Sequence, residues 1–187
     1  MALEQVQYKT PEAMQAGLDH ILLSPREIGT LQLIVRRPRG DEREVLTEGD
    51  LSPQDGLVGD NWKTRNSMGA PVSPEQFDRQ ITMMNSRLID LLAGDRKFWP
   101  LAGDQLYIDL DLSAANLPPG TRLAVGDAVL EITAALHSGC RKFSARFGLE
   151  ALKFLSDPSH KDLRLRGIYA RVVQPGFICV GDWVQKL

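Results

Sequence analysis

The chain has 187 residues, 43% of them hydrophobic and 25% charged, with a formal charge of -2, enough to bury a core in one domain without disulfides or metal staples. That balance excludes a global attraction to nucleic acid or to an anionic membrane surface, and no apolar run approaches the ~20 residues of a membrane helix. Two cysteines, Cys140 and Cys179, make no disulfide framework and predict a reducing, cytoplasmic setting.

The opening "MALEQVQYKT" lacks the basic and apolar regions of a secretory signal. "TPEAMQAGLDHILLSP" then reads as a helix: Thr10 caps it, Pro11 fits its first turn, and Met14, Leu18, Ile21 and Leu22 share a face. In "TLQLIVRRP" the period changes, with Leu31, Leu33 and Val35 alternating with Gln32, Ile34 and Arg36 as in a half-buried strand. "EREVLTEG" is its expected partner across the turn "PRGDE".

A long stretch rich in Gly, Pro, Asn, Asp and Ser follows, "SPQDGLVGDNWKTRNSMGAPVSPEQFDRQ"; loops of this length are often functional. "SRLIDLLAG" is a short helix that Gly94 can end. Strand-like runs come next at short intervals: "QLYIDLDL", "RLAVG", "AVLEITAAL", "GIYARVV" and "FICVGDWV", separated by turn chemistry. One helical insert interrupts them, "CRKFSARFGLEALKFLSD", with Gly148 as a kink or break. The pattern predicts a mainly β fold with an α+β tendency, an antiparallel barrel or sandwich with few helices.

Chemistry concentrates at "HSGCRKF". If Ser138 caps the helix, Cys140 falls in its first turn, where backbone N–H groups and the charges of Arg141 and Lys142 favour a thiolate. His137, three residues earlier, would serve as a base or a charge. A small structural cysteine is the competing reading, and the local residues leave both open. Cys179, in "FICVGDW", reads as inert core. His20 and His160 read as surface residues, and without a CxxC or HxxxH spacing no structural zinc site is expected.

Two clusters suit an anion: Gly59, Asp60, Lys63 and Arg65 in the long loop, and Arg79, Gln80 and Arg87 beyond it. Composition favours a plain solvated loop over an anion pocket for them. Arg164, Arg166 and Arg171 form a third group, in which Arg171 and Tyr169 share one face of a strand.

Taken in order, "GLVGD", "DRQITMMNSRLIDLLAG", "LAGDQLYIDLDLSAANLPPGTRLAVGDAVLEIT", "HSGCRKFSARFG", "LRLRGIYARVV" and "GFICVGDWV" resemble the MOSC domain family, named for the C-terminal domain of molybdenum-cofactor sulfurases. The resemblance spans residues 55–187 and weakens over the first fifty. It implies a MOSC-type β-barrel with a few peripheral helices, and it places Cys140 at the family's characteristic cysteine. That residue would carry sulfur as a persulfide or act as thiolate ligand to the metal of a molybdenum cofactor (molybdopterin). His137 would tune it, and Arg79, Lys142, Arg166 and Asp60 would meet the anionic ligand. A cysteine desulfurase or a reductase is the implied partner, and no pyridoxal phosphate site is expected. Two alternatives stand beside this reading: a molybdenum-dependent reductase of N-hydroxylated compounds, and a non-enzymatic barrel that binds an anionic small molecule or a partner. The chain departs from the family pattern in having Gly139 where many relatives have Pro before the cysteine, and "GDQLYIDLDLS" where Gly-Glu-Asn is common.

Overall fold

A computed structural model describes residues 5–64, 71–139 and 141–187. Helix α1 (Pro11–Leu22) is capped by Thr10, whose side chain accepts from Ala13 N. It buries Met14, Leu18 and Ile21 as expected. Leu22, expected on the same face, is half exposed because the helix ends there and the face turns away.

Strands β1 (Ile28–Arg36), β2 (Glu44–Leu46) and β3 (Glu48–Ser52) follow, and then the short β4 (Gly56–Leu57). The long loop carries the one-turn helix α2 (Pro74–Phe77). Strand β5 (Ile81–Asn85) runs straight into α3 (Ser86–Ala93), which closes at Gly94. A 3-10 segment, Arg96–Ala102, leads to β6 (Leu106–Asp109), β7 (Arg122–Val125) and β8 (Ala128–Ile132). Helices α4 (Arg141–Phe147) and α5 (Leu149–Ser156) are separated by Gly148, whose φ of 92° no ordinary helical residue adopts. A second 3-10 segment, Pro158–Leu163, precedes β9 (Ile168–Gln174), β10 (Gly176–Cys179) and β11 (Trp183–Lys186).

Among the described residues seven strands close into a barrel in the order β11-β7-β8-β9-β5-β6-β1, with β1 pairing back to β11. Strand β2 extends the edge beyond β1, while β10, β3 and β4 form a separate small sheet. The expected antiparallel barrel is present with one exception, the seam where β5 and β6 run parallel. The chain between them, α3 and the 3-10 segment, is long enough to return to the same end, as a parallel neighbour requires.

The molecule has two apolar layers. Leu31, Ile34, Met83, Leu106, Ile108 and Ile168 belong to the barrel interior. Outside it, Leu33, Val35, Met84 and Tyr107 pack with Met14, Leu88, Phe143 and Phe147 from the helices. Each fully buried side chain of this size contributes roughly 1.5–3 kcal/mol. The simple alternation expected for β1 fails at a bulge: Leu31 pairs with Ile108 and Leu33 with Tyr107, so Gln32 is an extra residue. The bulge sends Leu31 and Leu33 to different layers and buries Ile34 as well.

Candidate functional site

The end of β1 and its connection to β2 carry four arginines within eight residues, Arg36, Arg37, Arg39 and Arg43. Residues of this turn join Thr82 of β5, Tyr169 of β9 and three side chains of α4 around a cavity of about 450 Å³. Its lining includes Arg37, Arg39, Arg43, Lys142, Arg146 and Arg166 against a single lining carboxylate, Asp41. Asp60 behind Arg37 and Asp104 behind Arg166 offset part of this charge, and the cations still outnumber the carboxylates, which leaves the space net positive.

Each cation has a reason for its place. Arg37 is clamped by Asp60: Oδ2 accepts from the Arg37 backbone N and Nε at 2.9 and 2.8 Å, and Oδ1 accepts from Nη2 at 2.8 Å. Asp60 also takes Trp62 N, and Arg37 Nη1 donates to Gly103 O at 2.9 Å. Lys142 and Arg146, one turn apart on α4, both donate to Asp41 Oδ1 at 2.9 Å and so tie the hairpin turn to that helix. Lys142, first by its hydrogen bond and then by its charge, holds the Asp41 carboxyl below the usual aspartate range. Arg43 is half buried, and burial together with the neighbouring Arg146 and Arg37 pushes its pKa down. Its Nε has no hydrogen-bond partner among the described residues, and neither do Asn61 Oδ1 and Arg166 Nε.

Arg166 forms the floor. Nη1 donates to Asp104 Oδ2 at 2.8 Å, Nη2 donates to Ala102 O at 3.1 Å, and the guanidinium lies 5.0 Å from the centre of the Phe143 ring. The other oxygen of Asp104 faces His137 Nδ1 at 3.7 Å. His137 stacks against Tyr169 with centroids 4.5 Å apart. Gly167 makes this convergence possible: its φ is 105°, and an added Cβ would lie 2.3 Å from Met83 O and 3.3 Å from His137 Nδ1.

A second cavity, about 440 Å³, is lined by residues 133–139 and by the chain from Leu155 to Gly167, and it shares His137, Ser138 and Arg166 with the basic one. Its walls are mainly aliphatic. Residues 137–139 lie on these walls and Lys142 and Phe143 on the basic cavity, so the immediate surroundings of Cys140 in sequence are cavity residues. Cys140 itself, like Arg65, lies outside the described residues, and α4 begins at Arg141 rather than at the Ser138 turn.

Of the residues singled out from sequence, His137, Lys142 and Arg166 come together on the basic cavity. Asp60 does not line it; its carboxylate is buried under Arg37. Arg79 is exposed and lines neither cavity. Arg87 pairs with Asp109, and Arg171 with Glu131 and Asp78. Cys179 is only half buried; that partial burial, then Asp182, Glu48 and Asp127, push its thiol up, away from reactivity. His160 is buried, not a surface residue, with Nδ1 2.9 Å from Phe154 O. Sequence reading missed Arg37, Arg39, Arg43, Arg146 and Asp104; the one local signal was the arginine density around the "PRGDE" turn. Among the described residues no group of three His, Cys, Asp or Glu side chains is placed to hold a metal ion, and no helix is long and apolar enough to cross a membrane.

Fold and cavity together define a closed β-barrel domain with a cation-lined cavity against its outer wall. Residues 78–185 match the family model of the MOSC domain, and the chain belongs to that family. No curated protein sequence matches the chain. Among solved structures, the YuaD protein from Bacillus subtilis is similar at a TM-score of 0.58 and 18% identity, covering 88% of this chain and 98% of its own. YiiM from Escherichia coli reaches 0.52 at 18% identity, over 84% of this chain and 69% of its own. YiiM from Geobacillus stearothermophilus reaches 0.52 at 16%, over 88% and 74%. Identities this low carry the fold and nothing more.

Proposed function

We propose that this MOSC protein binds a phosphate-bearing cofactor of the molybdopterin type in the basic cavity, with Cys140 as the sulfur that acts there. One observation carries the reading: six cationic side chains and one carboxylate line a space of about 450 Å³, within the ~300–1,000 Å³ of small-molecule sites. The residues fit such a group, since Arg43 Nε and Arg166 Nε are donors without acceptors among the described residues, and buried donors of this kind are ordinarily satisfied. Arg43, Lys142 and Arg146 would pair with its anionic oxygens, while Asp104 keeps Arg166 in place beneath them. When bound, the cofactor supplies two-electron oxygen-transfer chemistry. Cys140 would contribute a soft thiolate suited to the metal, and His137, held against Asp104 and Tyr169, would hold or release a proton at its ring nitrogen.

The same cysteine supports the sulfur-carrier version. Its thiolate attacks the outer sulfur of a persulfide on a desulfurase partner; that S–S bond breaks, the partner leaves as a thiolate, and Cys140 keeps the persulfide. The aliphatic cavity beside His137 favours a second reading, reduction of an N-hydroxylated compound, in which a partner reductase delivers two electrons, two protons are taken up, the N–O bond breaks and its oxygen leaves as water.

The test is metal, pterin and persulfide analysis of full-length protein from cells that make the cofactor. Wild type should carry molybdenum and pterin, Cys140→Ala should lose the metal, and the double variant Arg43→Gln/Arg146→Gln should lose the pterin. Wild-type protein free of molybdenum, pterin and persulfide would end the proposal.

A further inference from the structure

The aliphatic cavity has a charge pattern of its own. Ala134, Ala135, Leu136, Leu155, Pro158 and Leu165 supply its apolar surface. Leu136 stands 86% exposed beside it, an apolar side chain held in water at the mouth of an apolar space. Three cations complete the same lining: Arg166, committed to Asp104, and Lys161 and Arg164. Arg164 is set by a left-handed backbone, φ 50°, and is steadied by Nη1 donating to Leu117 O at 2.7 Å. Neither Lys161 nor Arg164 makes an ion pair among the described residues; Arg164 feels the charge of Asp162 without touching it. The one carboxylate in the lining, Asp157, keeps its charge but is held in its own turn, where Oδ1 accepts from Ser159 N and from Ser159 Oγ. With Arg166 committed to Asp104, Lys161 and Arg164 outnumber the single lining carboxylate, and an apolar cavity with that net positive charge is complementary to an apolar body with a single anionic end.

We propose that this cavity is a binding site for a small, mainly apolar monocarboxylate. The carboxylate pairs with Arg164 and Lys161, and the apolar body covers Leu136 and lies along Leu155 and Leu165. The ligand thereby reaches the wall formed by His137 and Ser138, which the basic cavity shares. A dianion or a phosphate ester has its better match in the basic cavity, where six cations converge. As a ligand site this stands without the molybdenum reading; only its use as a substrate pocket rests on that reading.

The test uses 2-naphthoate and its uncharged counterpart, naphthalene-2-methanol, in equilibrium dialysis against the full-length chain prepared with and without a molybdenum supply. Naphthoate should bind saturably to both preparations, with the alcohol about tenfold weaker. Arg164→Gln should weaken naphthoate by about tenfold, with recovery in Arg164→Lys, and Arg146→Gln should leave it unchanged. Lys161 is exposed, so Lys161→Gln gives a variant that keeps its fold and should also weaken binding. Absence of saturable binding, equal affinity for the alcohol, or sensitivity to Arg146→Gln without sensitivity to Arg164→Gln and Lys161→Gln would each overturn the proposal. Naphthoate binding to metal-free protein would survive a failure of the cofactor reading and so separates the two.

Discussion

Asp104 and Arg166, 62 residues apart in the chain, meet as a buried ion pair at 2.8 Å, with side chains 0% and 9% exposed. The pair sits under both cavities, and the second oxygen of Asp104 faces His137. Removing one member of such a pair strands the other charge, at a cost of about 3–5 kcal/mol. Asp104→Ala should therefore lose that much stability in urea denaturation, with an unchanged denaturant slope. A loss below about 1 kcal/mol would show that water or His137 already satisfies the guanidinium.

The same pair shows what sequence reading reaches. Features set by neighbours in the chain were legible: Thr10 capping α1, Gly94 closing α3 and Gly148 dividing α4 from α5 each follow from local backbone chemistry. Strand β5, "ITMMN", was not, because unbranched methionines signal neither strand nor turn, and all five residues are buried without alternation. Its parallel seam with β6 depends on where a long connection returns. The cavity was half legible for a like reason. His137 and Lys142 lie within the cysteine motif and Arg166 in the next strand-like run, but Arg37, Arg39 and Arg43 join the cavity only when the barrel closes and the hairpin turn leans onto α4.

Asp60 and Arg79 looked equivalent as sequence candidates and should separate cleanly in stability. Asp60 accepts three hydrogen bonds from Arg37, with side-chain exposures of 0% and 3% for the pair. Asp60→Ala should cost about 3–5 kcal/mol and weaken anion binding, because Arg37 loses its clamp. Arg79→Ala, on the surface, should stay within about 0.5 kcal/mol of wild type. Denaturation of the two variants, with sulfate titration of each, checks both halves.

Asp41 predicts a pH dependence with opposite signs for folding and binding. Its pKa is lowered from 3.8 by Lys142 first and then by Arg146, so its contribution to stability is present above that ordinary value and is lost as pH falls through the lower folded value. Binding runs the other way, since the protonated carboxyl releases Lys142 and Arg146 to an incoming anion. Sulfate keeps its charge across this window and should bind more tightly as Asp41 takes up its proton. Asp41→Asn should reproduce the effect at neutral pH, by roughly three- to tenfold. The φ of 65° at this position suits Asn, so the variant keeps its turn. Weaker sulfate binding in calorimetry would mean that Asp41 orders the cations rather than competing for them.

The two cysteines should differ sharply in reactivity. Partial burial and the carboxylates of Asp182, Glu48 and Asp127 raise the Cys179 thiol above its ordinary 9.0, which leaves little thiolate at neutral pH and little nucleophilicity. Cys140 follows residues that line two cavities and precedes Arg141 and Lys142, surroundings that favour a thiolate. At neutral pH iodoacetamide should label Cys140 at least about tenfold faster than Cys179. Cys179→Ser should leave the fast phase intact, and Cys140→Ser should remove it. Sulfate that fills the basic cavity should slow the same phase, because it neutralises the cations that stabilise the thiolate. A fast phase that follows Cys179, or one that sulfate leaves untouched, would detach Cys140 from the cationic cavity and with it the chemistry assigned to that sulfur.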